Sequence, residues 1–143
     1  MTAEGTVTGV IVLAVVLTTT VLLGVWWRRR SGRIREVDGV VTARELGADL
    51  GSRATLVQFS TAFCQPCRAT RVTLAAVAEL VPGVRHIEID AESHLELVRD
   101  LHIVRTPTVL IVDAAGRIGY RATGAPRRDQ VLRALDAIVS EAH

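Results

Sequence analysis

An uncharged segment near the N-terminus constrains the fold of this chain more than any other feature of the sequence. Residues 7–27 form 21 consecutive positions without a charged side chain. A helix needs about 20 apolar residues to cross the hydrocarbon core of a bilayer. Trp26 and Trp27 end the segment, and aromatic rings favour the boundary between membrane and water. The segment is therefore predicted to be a transmembrane helix rather than a buried helix of a globular core.

A cluster of arginines directly follows the uncharged segment, at Arg28, Arg29, Arg30, Arg33 and Arg35. A cleaved secretory signal needs a basic start, a shorter apolar core and a small-residue cleavage site. The first six residues instead contain Glu4 and no basic side chain, so we expect an uncleaved anchor. Basic residues that flank a span stay preferentially on the cytoplasmic side. The arrangement predicts a single-pass protein of the cell membrane with its C-terminal part in the cytoplasm, and an extracytoplasmic orientation is the alternative.

The chain divides into four predicted parts. They are a short tail over 1–6, the transmembrane helix over 7–27, a basic linker over 28–35 and a globular domain over 36–143. A length of 143 residues suits one modest domain with one appended segment. The net charge of +2 is too small to indicate a nucleic-acid partner.

The globular part alternates between strand and helix signals. Thr42 and Glu45 match a capping box, in which each side chain bonds the backbone of the other residue. Apolar spacing predicts strands over 36–41, 55–59, 84–90, 108–112 and 117–123, and helices over 42–50, 66–80, 92–101 and 129–143. Parallel units come first and a hairpin comes last. This order predicts an α/β fold with a mixed sheet of four to five strands and helices on both faces.

The two cysteines of the chain, Cys64 and Cys67, lie between a predicted buried strand and a predicted helix. Unpaired N–H groups and the helix dipole at a helix N-terminus favour a thiolate, which is the nucleophilic form of cysteine. Pro66 suits the first turn of a helix, because its missing N–H costs nothing there. Since the spacing lets the second sulfur reach the first, we predict that Cys64 attacks a substrate disulfide and that Cys67 resolves the mixed disulfide.

Two other interpretations of the cysteine pair are open. A structural zinc site needs about four ligands, and its remaining ligands would have to come from His86, His94, His102 and His143, which show no paired metal spacing. We therefore predict no metal and no other cofactor. The pair is alternatively a set of inert buried cysteines, but the strand–C-x-x-C–helix context favours a redox centre.

With these motifs the sequence resembles the thioredoxin family over roughly 36–143. The residues that carry the resemblance are Leu56-Val-Gln-Phe59, Cys64-Gln-Pro-Cys67, Ile87-Glu-Ile-Asp90, Val104 to Ile111, and Gly124. The resemblance implies a thioredoxin-like fold and a thiol–disulfide oxidoreductase that reduces protein disulfides through its dithiol. It also implies a part in cell redox homeostasis and electron transport, with disulfide-containing proteins as substrates and a thiol reductant or a membrane thiol carrier to reset the pair.

The resemblance gives Thr106 and Pro107 a role as well. It implies that Pro107 follows a cis peptide bond and packs against the active-site sulfurs. Thr106 would then expose its backbone for strand-like pairing with a substrate peptide. The alternative is an ordinary trans proline at the start of a strand.

Several positions depart from the family pattern. Gln58 stands where thioredoxins usually carry a buried Asp that assists proton transfer to the resolving cysteine, and a glutamine cannot titrate. Ser60 and Phe63 replace the Trp residues beside the motif, Gln65 replaces a Gly within it, and Val72 replaces the proline that kinks the helix. These changes leave the fold intact but predict a narrower substrate range or a shifted redox poise.

Two further functions are open on the sequence alone. With the opposite topology, the domain would resemble the anchored thioredoxin-like proteins of cytochrome c maturation or disulfide exchange, and the arginine cluster argues against it. The second is a redox-inactive thioredoxin-like binding module. The intact Cys64–Cys67 motif argues against that function.

Overall fold

The structure is a computed structural model that describes residues 3–141. The chain separates into two compact units, one through Ser31 and one from Gly32 onward. Of the predicted features, residues 1 and 2 of the tail, the end of the last helix and His143 lie outside the described residues.

The first unit is a single helix, α1 (Ala3–Arg30), of 28 residues. It is long and apolar enough to cross a membrane, and its side chains from Glu4 onward are exposed. The hydroxyl of Thr18 donates to the carbonyl of Ala14 at 2.7 Å, so a polar group inside the apolar stretch is satisfied by its own helix. By length and composition, α1 is compatible with a membrane span or with an export signal.

The boundaries of α1 correct two expectations. Residues 3–6 are helical, so a separate tail over 1–6 is not present in the part of the chain that the structure describes. Arg28 to Arg30 continue the same helix, and the predicted linker over 28–35 shrinks to residues 31–33. Arginine is a good helix former, so the change from apolar to basic composition does not end the helix.

The second unit is an α/β domain of five strands and four helices within the described residues. Its elements are β1 (Ile34–Glu36), α2 (Ala43–Leu46), β2 (Ala54–Ser60), α3 (Gln65–Leu80), β3 (Val84–Asp90), α4 (Leu95–Asp100), β4 (Thr108–Asp113), β5 (Ile118–Thr123) and α5 (Arg128–Glu141). The strand order in the sheet is β1-β5-β4-β2-β3. Only the β2–β3 pair is parallel among these strands. The expected mixed sheet is confirmed, with five strands.

The predicted strand over 36–41 is wrong in its position. Residues Ile34 to Glu36 pair with β5 instead, and Val40 forms only an isolated bridge with Arg117. The basic residues up to Arg35 had predicted a linker over this stretch. They are compatible with a strand here because β1 lies at the edge of the sheet, where charged side chains reach solvent.

Two predicted helices are shorter than expected. The capping box is confirmed, since the Glu45 carboxylate accepts the Thr42 N–H at 2.7 Å and the Thr42 hydroxyl accepts the Glu45 N–H at 3.3 Å. The helix nevertheless ends at Gly47, whose φ of 66° is the left-handed conformation that closes a helix, rather than at residue 50. In the segment before α4, the Asp90 carboxylate accepts the N–H of Glu92 and the hydroxyl of Ser93, so the helix begins at Leu95 rather than at residue 92.

The sheet carries a core on each face. The core beneath α3 and α5 contains Leu56, Leu74, Val77, Val109, Val131 and Leu135, among others. The core beneath α2 and α4 contains Leu46, Val57, Phe59, Ile89, Leu97 and Leu110, among others. Every residue of β2 and β4 is buried. The chain therefore leaves the centre of the sheet at Ser60, and this fixes the position of the loop that carries the cysteines.

Candidate active site at the start of α3

Cys64 lies between β2 and α3, as the sequence predicted, and Cys67 lies in the first turn of α3. They form a disulfide with an S–S distance of 2.04 Å and a Cα–Cα distance of 5.2 Å. Cys64 is the N-cap residue of α3, and its Sγ accepts the backbone N–H of Cys67 at 3.2 Å. Gln65 and Pro66 occupy the first turn. A negative sulfur at Cys64 would therefore face an unpaired N–H and the positive end of a helix dipole.

The two sulfur-bearing residues differ in exposure. Cys67 is 1% exposed, whereas Cys64 is only partly buried. A macromolecular substrate can therefore approach Cys64 from solvent, while Cys67 is covered by the domain. This difference fits the predicted roles of attacker and resolver, which depend on access to an external disulfide.

A second loop lies beside the cysteine loop. The peptide bond between Thr106 and Pro107 is cis, as the resemblance implied. The hydroxyl oxygens of Thr61 and Thr106 lie 3.3 Å apart and form a hydrogen bond. The carbonyl of Pro107 accepts the N–H of Gly124 at 2.7 Å, and Gly124 has a φ of 104° that favours glycine. These contacts bring Thr106 next to the segment that precedes Cys64.

Two exposed apolar side chains, Phe63 and Val104, belong to the two loops of the site, and we call them the apolar rim. Phe63, which directly precedes Cys64, is 100% exposed, and Val104 in the second loop is 85% exposed. Neither side chain is packed within the domain, so both are accessible to another molecule. The sequence singled out Phe63 only as a replacement for a tryptophan, and Val104 only as part of a motif.

The inner side of the site is a polar cluster around Gln58. This side chain is fully buried. Its amide nitrogen donates to the Cys67 carbonyl at 2.8 Å and to the Ser60 hydroxyl at 2.9 Å. Its amide oxygen lies 3.1 Å from Nε2 of His86. Gln58 thus lies against the backbone of Cys67, at the position where the resemblance implies a proton-handling Asp.

An ion pair lies beside this cluster. Arg71 of α3 donates to both carboxylate oxygens of Glu88 in β3, at 2.5 and 2.6 Å. The bond from Arg71 holds the pKa of Glu88 below its usual value, and a bond from Ser60 adds to the effect. Burial lowers the pKa of His86 below its usual 6.5. His86 is therefore neutral at neutral pH.

Sequence reasoning placed Gln58 in the site but not its neighbours. In the sequence, Ser60 stands out only as a substitution and His86 only as a possible zinc ligand. The signal was present in the alternation of β3, which puts His86 and Glu88 on the face opposite Ile87 and Ile89. Which helix covers that face was not readable from the sequence.

The zinc interpretation finds no support in residues 3–141. No three His, Cys, Asp or Glu side chains there converge as a metal-binding group. His86 faces Gln58, and Nδ1 of His94 lies 3.0 Å from the Asp90 carbonyl.

Fold and site together define a class of protein: an α/β domain that carries a closely spaced, disulfide-bonded cysteine pair at a helix N-terminus. The family model for thioredoxin matches residues 40–137, which is 98 of the 143 residues. The chain belongs to the thioredoxin family. This fold and this cysteine spacing support a thiol–disulfide oxidoreductase in general.

Similar proteins agree with this assignment. A 75-residue segment is 25% identical to thioredoxin domain-containing protein 8 of Mus musculus and covers 52% of this chain and 59% of the mouse protein. The match thus spans less than two thirds of the mouse protein. Thioredoxin f from spinach chloroplast is 27% identical with a TM-score of 0.54, over 62% of this chain and 78% of that one. Chloroplastic thioredoxin z is 25% identical with a TM-score of 0.55, over 64% and 81%.

Thioredoxin from Trypanosoma brucei brucei shares the fold at 21% identity. Its TM-score is 0.57, and the match covers 74% of this chain and 92% of that one.

Proposed function

We propose that this chain is a membrane-anchored thiol–disulfide oxidoreductase that reduces protein disulfides through Cys64-Gln-Pro-Cys67. The observation that carries the proposal is the position of Cys64, a partly buried residue whose Sγ accepts a backbone N–H at the start of α3. Membership of the thioredoxin family supports the same chemistry. No cofactor takes part in the proposed reaction.

The reaction proceeds in two exchanges. The Cys64 thiolate attacks one sulfur of a substrate disulfide, and the other substrate sulfur leaves as a thiolate. Cys67 then loses its proton and attacks Cys64, which forms the Cys64–Cys67 disulfide and releases the reduced substrate. Two electrons have passed to the substrate, and a thiol reductant or a membrane thiol carrier must return them to the pair.

The residues around the pair support substrate docking. Phe63, which directly precedes Cys64, and Val104, two residues before Thr106, are exposed apolar side chains that a protein substrate could contact. Thr106 lies beside the cysteine loop through its bond with Thr61, where its backbone is placed to pair with an extended peptide. Gln65 and Pro66 start α3 and keep the two cysteines within one turn. Pro107 completes the second loop.

A disulfide reduction assay tests the activity. Full-length protein in detergent micelles, supplied with dithiothreitol, is expected to accelerate the reduction of insulin disulfides, and the Cys64→Ser variant is expected to lose this acceleration. The matched control adds Ser31→Cys to the Cys64→Ser variant. This change supplies a thiol outside the α/β domain, and it is not expected to restore activity. Equal rates for wild type and Cys64→Ser would favour a binding module without turnover.

The membrane anchor is the second part of the proposal. Residues 7–27 of α1 span the cell membrane once, and Arg28 to Arg30 hold the domain on the cytoplasmic side. The tether keeps the cysteine pair at a high local concentration near membrane partners. A cytoplasmic reporter fused to the C-terminus should be active and an export reporter at the same site silent. The opposite result would place the domain outside and shift its function towards extracytoplasmic disulfide exchange.

A further inference from the structure

The polar cluster beneath Cys67 contains a histidine to which the proposed reaction gives no part. His86 lies on β3, two residues before the ladder partner of Gln58, and contacts the Gln58 amide oxygen through Nε2 at 3.1 Å. The amide nitrogen of Gln58 donates to the Ser60 hydroxyl and to the carbonyl of Cys67. Each hydrogen-bonding group of this buried amide therefore has a partner.

The partners fix the orientation of the amide. The Cys67 carbonyl only accepts hydrogen bonds, so the amide must turn its NH₂ end towards Cys67 and its oxygen towards His86. His86 must then donate from Nε2, which assigns the proton of the neutral ring to that nitrogen. A flipped amide would set its oxygen against the Cys67 carbonyl and lose the bond between the amide NH₂ group and that carbonyl.

We infer that His86 is a positioning residue for the resolving cysteine: it acts through Gln58 to hold the first turn of α3 in the geometry from which Cys67 attacks Cys64. This inference rests on the proposed function. The contact runs from β3 through a β2 side chain to the backbone of Cys67, so the sheet holds the backbone of the resolving cysteine. Attack within a helical turn requires a well-oriented sulfur. The role needs a donor at the Nε2 position and does not need a charge.

A reaction with one equivalent of Ellman's reagent separates the two chemical steps. In fully reduced protein, attack by Cys64 releases one aromatic thiolate and leaves an aromatic mixed disulfide on Cys64. Attack by Cys67 releases the second thiolate and forms the Cys64–Cys67 disulfide. Stopped-flow absorbance of full-length protein in detergent micelles follows both phases.

Three variants test the part of His86. His86→Phe keeps a ring but removes the donor, and we expect its second phase to slow by about fivefold to tenfold while its first phase stays within about twofold of wild type. His86→Gln places an amide donor where Nε2 lies, and it should restore the second phase to within about twofold. The exposed His94 supplies the matched control, since His94→Phe should change neither phase.

A double variant shows whether the effect passes through Gln58. In the Gln58→Met background the amide is absent, so His86→Phe should cause no further slowing of the second phase. Equal second phases in wild type and His86→Phe would overturn the inference, and so would failure of His86→Gln to restore the rate. Absence of a second phase in wild type would overturn the proposed function instead. His86→Leu, which also lacks a donor, replaces His86→Phe if the latter does not fold.

Discussion

The two sulfurs of the cysteine pair lie in opposite surroundings. Cys64 is partly exposed beside a rim of apolar side chains, Phe63 and Val104. Cys67 is covered, and its backbone bonds to the buried amide of Gln58. The outer side offers contact area and access, and the inner side offers fixed hydrogen bonds. In the proposed reaction, substitutions on the outer side should therefore change substrate binding and attack, and those on the inner side should change resolution.

The same contrast separates this chain from the family pattern. On the outer side the residue remains aromatic, since Phe63 replaces a tryptophan. On the inner side the chemistry differs, because Gln58 bonds to Cys67 without being able to accept a proton. Of the departures at positions 58 and 63, the one that bears on proton transfer therefore lies on the side of the resolving cysteine.

The largest expected effect comes from removing the resolving sulfur. In Cys67→Ser, steady-state insulin reduction should fall at least about 100-fold, because a serine hydroxyl does not displace a mixed disulfide. The first attack by Cys64 should persist, so the variant should accumulate a covalent adduct, which intact-mass measurement detects. In native membranes the same variant should capture the physiological substrates. If the Cys64→Ser variant forms adducts on Cys67 equally well, the two cysteines do not have separate roles.

Next in size is the effect of a titratable group at position 58. We expect Gln58→Asp to resolve the mixed disulfide about tenfold faster than Gln58→Asn at neutral pH, because a carboxylate there can accept the proton of Cys67. The two variants shorten the side chain equally, so their difference isolates the proton acceptor. The second phase of the Ellman reaction measures it. Equal rates would mean that proton transfer at this position does not limit resolution.

The apolar rim should give a smaller effect, and only on binding. Phe63→Ala is expected to raise the KM for insulin about threefold to tenfold, since an aromatic side chain contributes contact area with a protein substrate. The first phase with the small Ellman reagent should stay unchanged. Leu80→Ala is the control, because Leu80 is also exposed but lies at the far end of α3. A fall in kcat without a rise in KM would argue that Phe63 acts on the chemistry instead.

The smallest expected effect is a pH dependence of stability. Burial lowers the pKa of His86 below 6.5, so the unfolded chain binds more protons as the solution is acidified. The contribution of His86 is therefore complete above its unfolded pKa and is lost as the pH falls through its folded pKa. Thermal melting should show that the Tm of wild type, relative to that of His86→Gln, falls as the pH is lowered from about 7 to about 5. Glu88 and Asp90 have pKa values below their usual values of 4.5 and 3.8. Their contributions to stability are therefore lost at lower pH than that of His86. If the two proteins show parallel Tm profiles over this pH range, the lowered pKa of His86 is contradicted.

Much of the domain followed from local patterns. Strands β2 and β4 are mostly apolar runs, and Pro82-Gly83 follows the C-cap residue of α3, Val81. The capping box at Thr42 formed as expected, because both partners lie within one turn. The strand β1 was misplaced, since its position depends on pairing with β5, which lies more than 80 residues further along the chain.

The cysteine pair shows the same division. By itself the sequence determined that the pair lies at the start of a helix after a buried strand, because three-residue spacing, Pro66 and the preceding apolar run are all local. Only the tertiary structure decided what surrounds the pair. Gln58 and His86 are 28 residues apart and meet because β2 and β3 are adjacent and parallel. Thr61 and Thr106 are 45 residues apart and meet because β4 lies on the other side of β2. Spacing along the chain fixes a local motif, but strand order fixes which distant side chains become its neighbours.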